Sequence, residues 1–282
     1  MGLKIFIKRG GMIMYKYNVS IIIPGTRHEQ WVNLYDSLKK AIGKYSFELI
    51  IVGPLKPDNE LLEKDNFQYI PDYGHPARCT QIGSLACSGE LMTWGSDDGT
   101  FLEDGLELAI DLWYQNNNPK DQVILKYLEG PHPYMPDMTD TGLGYWHAWF
   151  HDDLKLASIP KHYMVAPIGL MTLEYFRFMG GFDCEFENIN MCCNDLAFRI
   201  QYDGGQLHLP PKHVTWHTWS SGDGGIVVES FHEHDNPLFK KIYSDDKILE
   251  NRRYLDYNNW IYNTEPIWLR RFDIPNMRVK PT

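Results

Sequence analysis

Apolar residues fall into short continuous runs and helical stripes that alternate along the first part of the chain. The runs NVSIIIP and FELIIVGP are rich in β-branched residues and end at Pro or Gly, which predicts strands covered on both faces. Between these two runs, residues 28–43 carry apolar side chains at helical spacing, which predicts an amphipathic helix. Strands that alternate with helices in this way predict an α/β architecture with a mostly parallel central sheet.

The alternation continues to about residue 128. Further strands are predicted at 67–72, 91–95 and 122–128, and further helices at 76–90 and 102–117. Residues 129–161 show no clear period, which predicts a long loop. The later part of the chain predicts a strand and a helix within 162–183, a helix at 194–205, strand pieces at 206–219 and helices near 236–254.

Composition narrows the possible partners and surroundings. A net charge of −10 disfavours non-specific binding to nucleic acid phosphates, which requires a basic face. The sequence contains no apolar run of the ~18 residues that a membrane span needs, and its first residues do not read as a signal peptide. Five irregularly spaced cysteines predict reduced thiols. We therefore expect a cytoplasmic protein.

Glycine, proline and aspartate stand where the predicted strands end. Pro24-Gly25, Gly53-Pro54, Asp72 and Asp97-Asp98 follow four different strands. In open α/β sheets the ligand crevice lies beyond the carboxyl ends of the strands, so these residues predict one shared site. Two adjacent carboxylates repel each other unless a cation, an arginine or water compensates their charge. Carboxylate oxygens suit Mg²⁺ or Mn²⁺ bridging a diphosphate.

Several common phosphate-binding and hydrolytic motifs are missing from the sequence. The first strand is followed by PGTRHE rather than by the dinucleotide fingerprint G-x-G-x-x-G. The sequence also contains neither the P-loop motif nor the G-x-S-x-G elbow of serine hydrolases. With these motifs absent, the kind of site that remains is an acidic one on a Rossmann-like sheet.

Five segments in this order resemble the family 2 glycosyltransferases of the GT-A fold. The resemblance covers about residues 18–219 and rests on VSIIIPGTR, ELIIVGP, HPARCTQIGSLACSGELMTWGSDDGTFLEDGLE, GGFDCEFE and NDLAFRIQYDGG. It implies a Rossmann-like three-layer α/β/α sandwich with a mostly parallel central sheet and a C-terminal extension. It also implies a nucleoside-diphosphate sugar as donor (a UDP-sugar is expected), a Mn²⁺ or Mg²⁺ ion, and inversion at the anomeric carbon.

The resemblance divides the chain into an N-terminal extension, a glycosyltransferase domain and a C-terminal tail. The extension comprises residues 1–17, and the domain comprises a nucleotide-sugar half, 18–128, and an acceptor half, 129–225. The tail, 226–282, is helical and aromatic in character, and we expect it to cover the sheet or to help form a homodimer.

The resemblance also assigns donor-site residues by position. The segment that cradles the nucleoside in this family corresponds to Pro24, Gly25, Thr26 and Arg27, and Gly53 stands where the family usually has an aspartate for uracil. Arg78 matches the basic residue that faces the diphosphate, and Asp72, at the end of the third strand, belongs to the same donor site.

Metal and catalytic residues are assigned in the same way. The acidic metal motif corresponds to Ser96, Asp97 and Asp98, with Asp97 as the first ligand and Asp98 as the second, and Gly95 replaces its usual first aspartate. His217 is expected to complete the metal shell, and Asp195 matches the general base.

These assignments agree with what glycosyl transfer needs. A metal ion together with a nearby arginine would neutralise the charge that grows on the leaving diphosphate. A carboxylate in hydrogen-bond reach would take the proton of the acceptor hydroxyl, which typically accelerates a reaction by ~10²–10⁴.

Structural interpretations of the same residues remain open. Asp97-Asp98 and Asp195 could cap helices, Arg78 could only pair with Asp72 or Glu90, and His217 could be a packed side chain.

Rival functions also remain open. The glycines at 53 and 95 keep open a degenerate, non-catalytic nucleotide-sugar binder. A sugar nucleotidyltransferase usually carries a glycine-rich loop with lysine after the first strand, and a metal phosphodiesterase would need more paired His and Asp ligands.

The acceptor of a transferase stays open as a glycan, a lipid-linked molecule, a protein or a small molecule. A modified DNA base is the one nucleic-acid acceptor that we keep.

Overall fold

A seven-stranded, mostly parallel sheet flanked by helices forms the centre of the molecule, as the sequence predicts. The structure is a computed structural model that describes residues 4–8, 11–129, 156, 158–217 and 230–261. Most of the predicted loop 129–161, the end of the acceptor half and much of the tail 226–282 lie outside the described residues.

The strands of the described residues form three sheets. The central sheet has the order β11-β8-β10-β6-β3-β4-β5, a second sheet has the order β7-β12-β9, and β1 and β2 form an antiparallel hairpin in the N-terminal extension. Within the central sheet only β10 runs antiparallel to its neighbours. The strands are β1 Lys4–Lys8, β2 Gly11–Tyr15, β3 Tyr17–Pro24, β4 Phe47–Gly53, β5 Phe67–Pro71, β6 Gly89–Trp94, β7 Gly99–Phe101, β8 Gln122–Ile124, β9 Tyr127–Glu129, β10 Gly169–Thr172, β11 Leu207–His208 and β12 Thr215–His217.

The helices pack in two groups, with α1 against α4 and α3 against α6. Helix α6 begins five residues before the predicted helix at 194–205, because the side chain of Asn188 accepts a hydrogen bond from the backbone N–H of Asn190 and caps it. None of the described helices has the length and apolar character needed to span a bilayer. The helices are α1 Trp31–Ala41, α2 Asn59–Leu62, α3 Pro76–Ala86, α4 Gly105–Asn116, α5 Leu173–Phe178, α6 Ile189–Tyr202, α7 Asn236–Ile242 and α8 Ile248–Asn251.

The central strands β3 and β4 form the middle of the core. Ile21, Ile22 and Ile23 are completely buried, although consecutive residues of a strand point to opposite faces. Both faces of the sheet are therefore covered, as the continuous apolar runs predict. Burying each such side chain contributes about 1.5–3 kcal/mol to folding.

The strand register brings four parallel strand ends to one edge of the sheet. Pro24 of β3 lies opposite Val52, and Gly53 of β4 lies opposite Pro71 of β5. On the other side of β3, Ile22 lies opposite Trp94 of β6. The polar residues that follow these strands therefore emerge along a common edge, where ligands bind in α/β folds.

Residues 252–261, which we call the C-terminal strap, cross the helices near that edge. The carbonyl oxygen of Tyr257 accepts a hydrogen bond from Nε2 of Gln81 on α3, at 2.8 Å. The Nδ2 group of Asn259 donates to the carbonyl oxygen of Phe182, also at 2.8 Å. The strap thus joins α3 of the nucleotide-sugar half to the loop before α6 of the acceptor half.

Candidate active site

Asp97 binds the loop that follows β3. One carboxylate oxygen accepts the backbone N–H groups of Thr26 and Arg27, both at 2.6 Å, and the indole N–H of Trp31 at 3.2 Å. The other oxygen pairs with the guanidinium of Arg27 at 2.6 Å. The side chain of Asp97 is only 2% exposed. Its charge is therefore compensated by an arginine and by backbone donors that belong to the predicted nucleoside cradle.

Asp98 faces His217 instead. The distance between Oδ1 of Asp98 and Nδ1 of His217 is 3.5 Å, and both side chains are largely buried. Strand pairing explains this approach, because His217 of β12 lies opposite Gly99 of β7. A Cβ atom at Gly99 would lie 3.0 Å from the imidazole ring, so the glycine leaves room for it. The two neighbouring aspartates thus have different partners.

The pKa of the Asp98 carboxyl is lowered from its ordinary value. Burial opposes ionisation, but the hydrogen-bonding His217 and Ser96 and the charge of Arg27 together outweigh it. Asp98 is therefore ionised at neutral pH, which is the form that a divalent cation requires.

The Asp98–His217 pair offers two donors of the kinds that divalent cations take in proteins. A carboxylate oxygen and an imidazole nitrogen are both donors for Mn²⁺, and Mg²⁺ usually takes one or two carboxylates while phosphates and water fill the other positions. Within the part of the chain that the structure describes, no group of three or more His, Cys, Asp or Glu side chains could hold a metal.

Gly25 and Gly53 let the ends of β3 and β4 approach each other closely. The backbone N–H of Gly25 donates to the carbonyl of Val52 at 2.9 Å. A Cβ atom at Gly53 would lie 2.0 Å from the carbonyl oxygen of Gly25. In the family that the sequence resembles, the position of Gly53 usually carries an aspartate. In this structure that position has no space for a side chain.

Asp72 lies beside this glycine and pairs with Arg78. The backbone N–H of Asp72 donates to the carbonyl of Gly53 at 3.2 Å. The Nε and Nη2 groups of Arg78, in the first turn of α3, each donate to a different oxygen of Asp72 at 3.1 Å. This bidentate pair matches the structural interpretation of Arg78, and it also places a carboxylate and a guanidinium at the sheet edge.

His75 is a residue of this edge that the sequence did not single out. Its Nδ1 accepts the backbone N–H of Arg78 at 3.2 Å and so caps α3. Burial lowers the pKa of His75 to about 4, so the ring is neutral at physiological pH. Its place directly before Pro76, a typical first helical residue, was the signal that could have identified it.

Asp195 is completely buried in a network of charged and polar side chains. Its oxygens accept hydrogen bonds from Nε of Arg199 at 2.8 Å, Nε of Arg252 at 3.0 Å and the hydroxyl of Tyr243 at 2.8 Å. Burial raises the pKa of the Asp195 carboxyl, but Arg252 and Arg199 outweigh burial and lower it overall. These surroundings favour a structural role, because they leave no exposed oxygen for an acceptor hydroxyl. The general-base assignment stays a prediction.

The partners of Asp195 differ in how far the sequence reveals them. Arg199 follows Asp195 by four residues in a predicted helix, and such pairs face each other on one side of the helix. Arg252 and Tyr243 come from the tail, about fifty residues away, and the sequence carries no local signal for either contact.

Comparison with solved structures finds this fold in TarS of S. aureus. The crystal structure of TarS 1–349 in complex with UDP matches 93% of this chain and 75% of its own length, at 14% identity and a TM-score of 0.55. A second structure of TarS 1–349 matches the same shares at 13% identity and a TM-score of 0.50. A longer TarS structure matches 83% of this chain, at 14% identity and a TM-score of 0.50, and the chain spans 43% of its length.

The sequence itself matches no protein-family model and no curated protein. At identities of 13–14%, the structural likeness shows a shared fold.

Proposed function

We propose that the chain is a metal-dependent glycosyltransferase of the GT-A fold, family 2, that transfers a sugar from a nucleoside-diphosphate sugar with inversion. The observation that carries this proposal is the pairing of Asp98 with His217 beside the loop that Asp97 holds, at the carboxyl ends of parallel strands. The fold shared with TarS, whose structure was solved in complex with UDP, supports the proposal and makes a UDP-sugar the first donor to test.

Asp97 and Asp98 have separate tasks in this proposal. Asp98 and His217 would hold Mn²⁺ or Mg²⁺, and the ion would neutralise charge on the leaving diphosphate. Asp97 fixes Thr26 and Arg27, whose backbone lines the expected nucleoside site. A fixed loop binds its ligand without a further ordering cost. The sequence-based assignment of Asp97 as the first metal ligand is the alternative, and single substitutions separate the two.

Asp72 and Arg78 form the other side of the proposed donor site. Their bidentate pair aligns a guanidinium near the strand ends β4 and β5, where a diphosphate or a nucleoside base would meet donors and acceptors of fixed orientation. The acceptor would enter from the half that begins at residue 129. We propose a glycan, a lipid-linked molecule, a protein or a small molecule as acceptor.

A non-catalytic nucleotide-sugar binder is the second candidate, and the surroundings of Asp195 favour it. A base must reach the acceptor hydroxyl, and Asp195 lies completely buried between two arginines. If the site contains no other base, the chain would bind donor without transferring sugar.

A thermal-shift screen tests the proposal first. The full chain is heated with UDP, GDP, ADP or CDP, with and without Mn²⁺, and the same series is run with Asp98→Asn. We expect one nucleotide to raise the melting temperature of the wild type in the presence of Mn²⁺, since ligand at a hundredfold excess over Kd stabilises by about 2.7 kcal/mol. The shift should disappear in Asp98→Asn.

Release of nucleoside diphosphate from the matching nucleotide-sugar then separates transferase from binder. Turnover with any acceptor, or slow hydrolysis of the donor, supports a transferase. Binding of donor with no release under any condition supports the non-catalytic candidate. If no nucleotide stabilises the wild type with any metal, both candidates fail.

A further inference from the structure

The C-terminal strap places Trp260 directly against Arg78. The Nη1 group of Arg78 donates to the backbone carbonyl of Trp260, and the guanidinium carbon lies 5.3 Å from the centre of the indole ring. That separation is within the range of a cation–π contact. The remaining edge of the same guanidinium binds Asp72. A residue from the far end of the chain therefore stands beside the Asp72–Arg78 pair of the proposed donor site.

The indole N–H of Trp260 is a buried donor that makes no hydrogen bond with any of the described residues. Its Nε1 atom is buried, and within residues 4–8, 11–129, 156, 158–217 and 230–261 no acceptor lies in hydrogen-bond reach of it. The cost of a buried N–H without a partner is about 1–3 kcal/mol. Tryptophan side chains in ligand sites commonly use this group to orient a polar atom of the ligand.

Trp260 is held in place by a strap that is anchored to the core. Arg252, at the start of the strap, pairs with the buried carboxylates of Asp183 and Asp195. The backbone N–H of Leu255 donates to the carbonyl of Met179 at 3.1 Å. These contacts fix the strap, and the indole with it, against the core in the absence of any ligand.

We infer that the C-terminal strap forms one wall of the donor site and that Trp260 donates its indole N–H to an oxygen of the bound nucleoside diphosphate. The inference rests on the proposed function, because it names a further specificity-determining residue of that same site. A ligand with acceptor oxygens on its phosphates and its base satisfies the buried donor. An apolar ligand would leave the N–H unpaired.

Calorimetric titration of the full chain with UDP and Mn²⁺ tests this role. Trp260→Phe keeps an aromatic ring on Arg78 and removes only the N–H. We expect its affinity for UDP to fall about tenfold, the effect of losing one hydrogen bond to a charged acceptor. Tyr45→Phe is the matched control, because it removes an aromatic hydroxyl that bonds to Asp111 at 2.5 Å, outside the strap and the proposed donor site, and its affinity should equal that of the wild type.

The indole resonances give a second measurement that does not depend on the stability of a variant. The ¹H–¹⁵N signal of Trp260, assigned through Trp260→Phe or Trp260→Tyr, should shift when UDP and Mn²⁺ are added to the wild type. Wild-type binding of UDP with an unmoved Trp260 signal, or with equal affinity in Trp260→Phe, overturns the inference and leaves the proposed function intact. Absence of any nucleotide binding by the wild type overturns both.

Discussion

At the scale of single residues, two adjacent aspartates at the end of β6 have opposite surroundings. Asp97 accepts four hydrogen bonds and is almost completely buried, whereas Asp98 meets His217 at 3.5 Å. Asp97 and Asp98 lie in a turn closed by the backbone N–H of Gly99, which donates to the carbonyl of Ser96 at 3.3 Å, and from this turn the two carboxylates reach different partners. One side chain therefore holds the loop after β3 while its neighbour faces His217 of β12.

Substitution of each aspartate by asparagine should give different phenotypes. Asp97→Asn removes the charge that pairs with Arg27, and we expect it to lower the free energy of unfolding by about 1.5–3 kcal/mol. Asp98→Asn weakens a contact of 3.5 Å with His217, so it should lower that free energy less than Asp97→Asn does, and it should abolish metal-dependent nucleotide binding. Urea denaturation and titration with Mn²⁺ measure the two effects. A stable Asp97→Asn variant that no longer binds metal would restore Asp97 as the first ligand.

Asp195 offers a second test at this scale. Asp195→Asn leaves Arg199 and Arg252 without their buried counter-charge, so we expect it to lower the free energy of unfolding by about 3–5 kcal/mol. Asp36→Asn is the control, because Asp36 forms an exposed pair with Lys39 and should cost less than about 1 kcal/mol. A folded, donor-binding Asp195→Asn variant of wild-type stability that lost only sugar transfer would instead identify Asp195 as the base.

At the scale of secondary-structure elements, the ends of β3 and β4 depend on the absence of a side chain. Gly53→Ala would place a methyl group 2.0 Å from the carbonyl oxygen of Gly25, so the strand ends must separate. We expect a loss of about 1–3 kcal/mol of stability, as for other overpacked sites. Gly95→Ala is the matched variant, since its Cβ atom would meet only Ile23 Cδ1 at 3.0 Å, and its loss should be smaller. Equal losses in thermal or urea unfolding would contradict this explanation.

Most elements could be predicted from the sequence because their signals are local. The apolar run before Pro24 predicted β3 within one residue, and Pro76 predicted the start of α3. The shared edge of the sheet was also predictable, because parallel strands end on the same side. The direction in which each carboxylate points was not predictable, since Asp97 and Asp98 are equivalent in any pattern of polar residues.

The contacts of the tail could not be predicted for a different physical reason. Trp260 meets Arg78 across about 180 residues, and Arg252 meets Asp195 across 57. Such contacts depend on the packed positions of several helices, and neither periodicity nor a short motif encodes them. The sequence predicted that the tail is helical and aromatic, but it did not indicate where the tail lies.

At the scale of the whole molecule, one buried histidine makes global stability depend on pH. Burial lowers the pKa of His75 to about 4 in the folded state, whereas an unfolded histidine titrates near 6.5. Between these values the unfolded chain binds a proton that the folded chain does not, so stability falls as the pH falls from 6.5 to 4. The shift corresponds to about 3 kcal/mol for this group.

His75→Asn isolates that contribution. Asparagine is a favoured helix cap, so it keeps an acceptor for the N–H of Arg78 and removes the titration. Urea unfolding of both proteins at pH 7 and pH 4.5 gives the comparison. The wild type should lose more stability than His75→Asn on acidification, and parallel losses would show that His75 is not the group responsible.

The position of β10 in the central sheet bears on the order in which the protein folds. Strands β3, β4, β5 and β6 are neighbours in the sheet and come from residues 17–94, so they can pair as soon as that stretch has been synthesised. Strand β8 reaches them only through β10, which begins at Gly169, 45 residues after β8 ends. Closing such a long segment is slow. We therefore expect an early four-stranded intermediate in which the edge of β6 stays exposed until β10 pairs with it. At this edge a nascent chain would be most prone to aggregation.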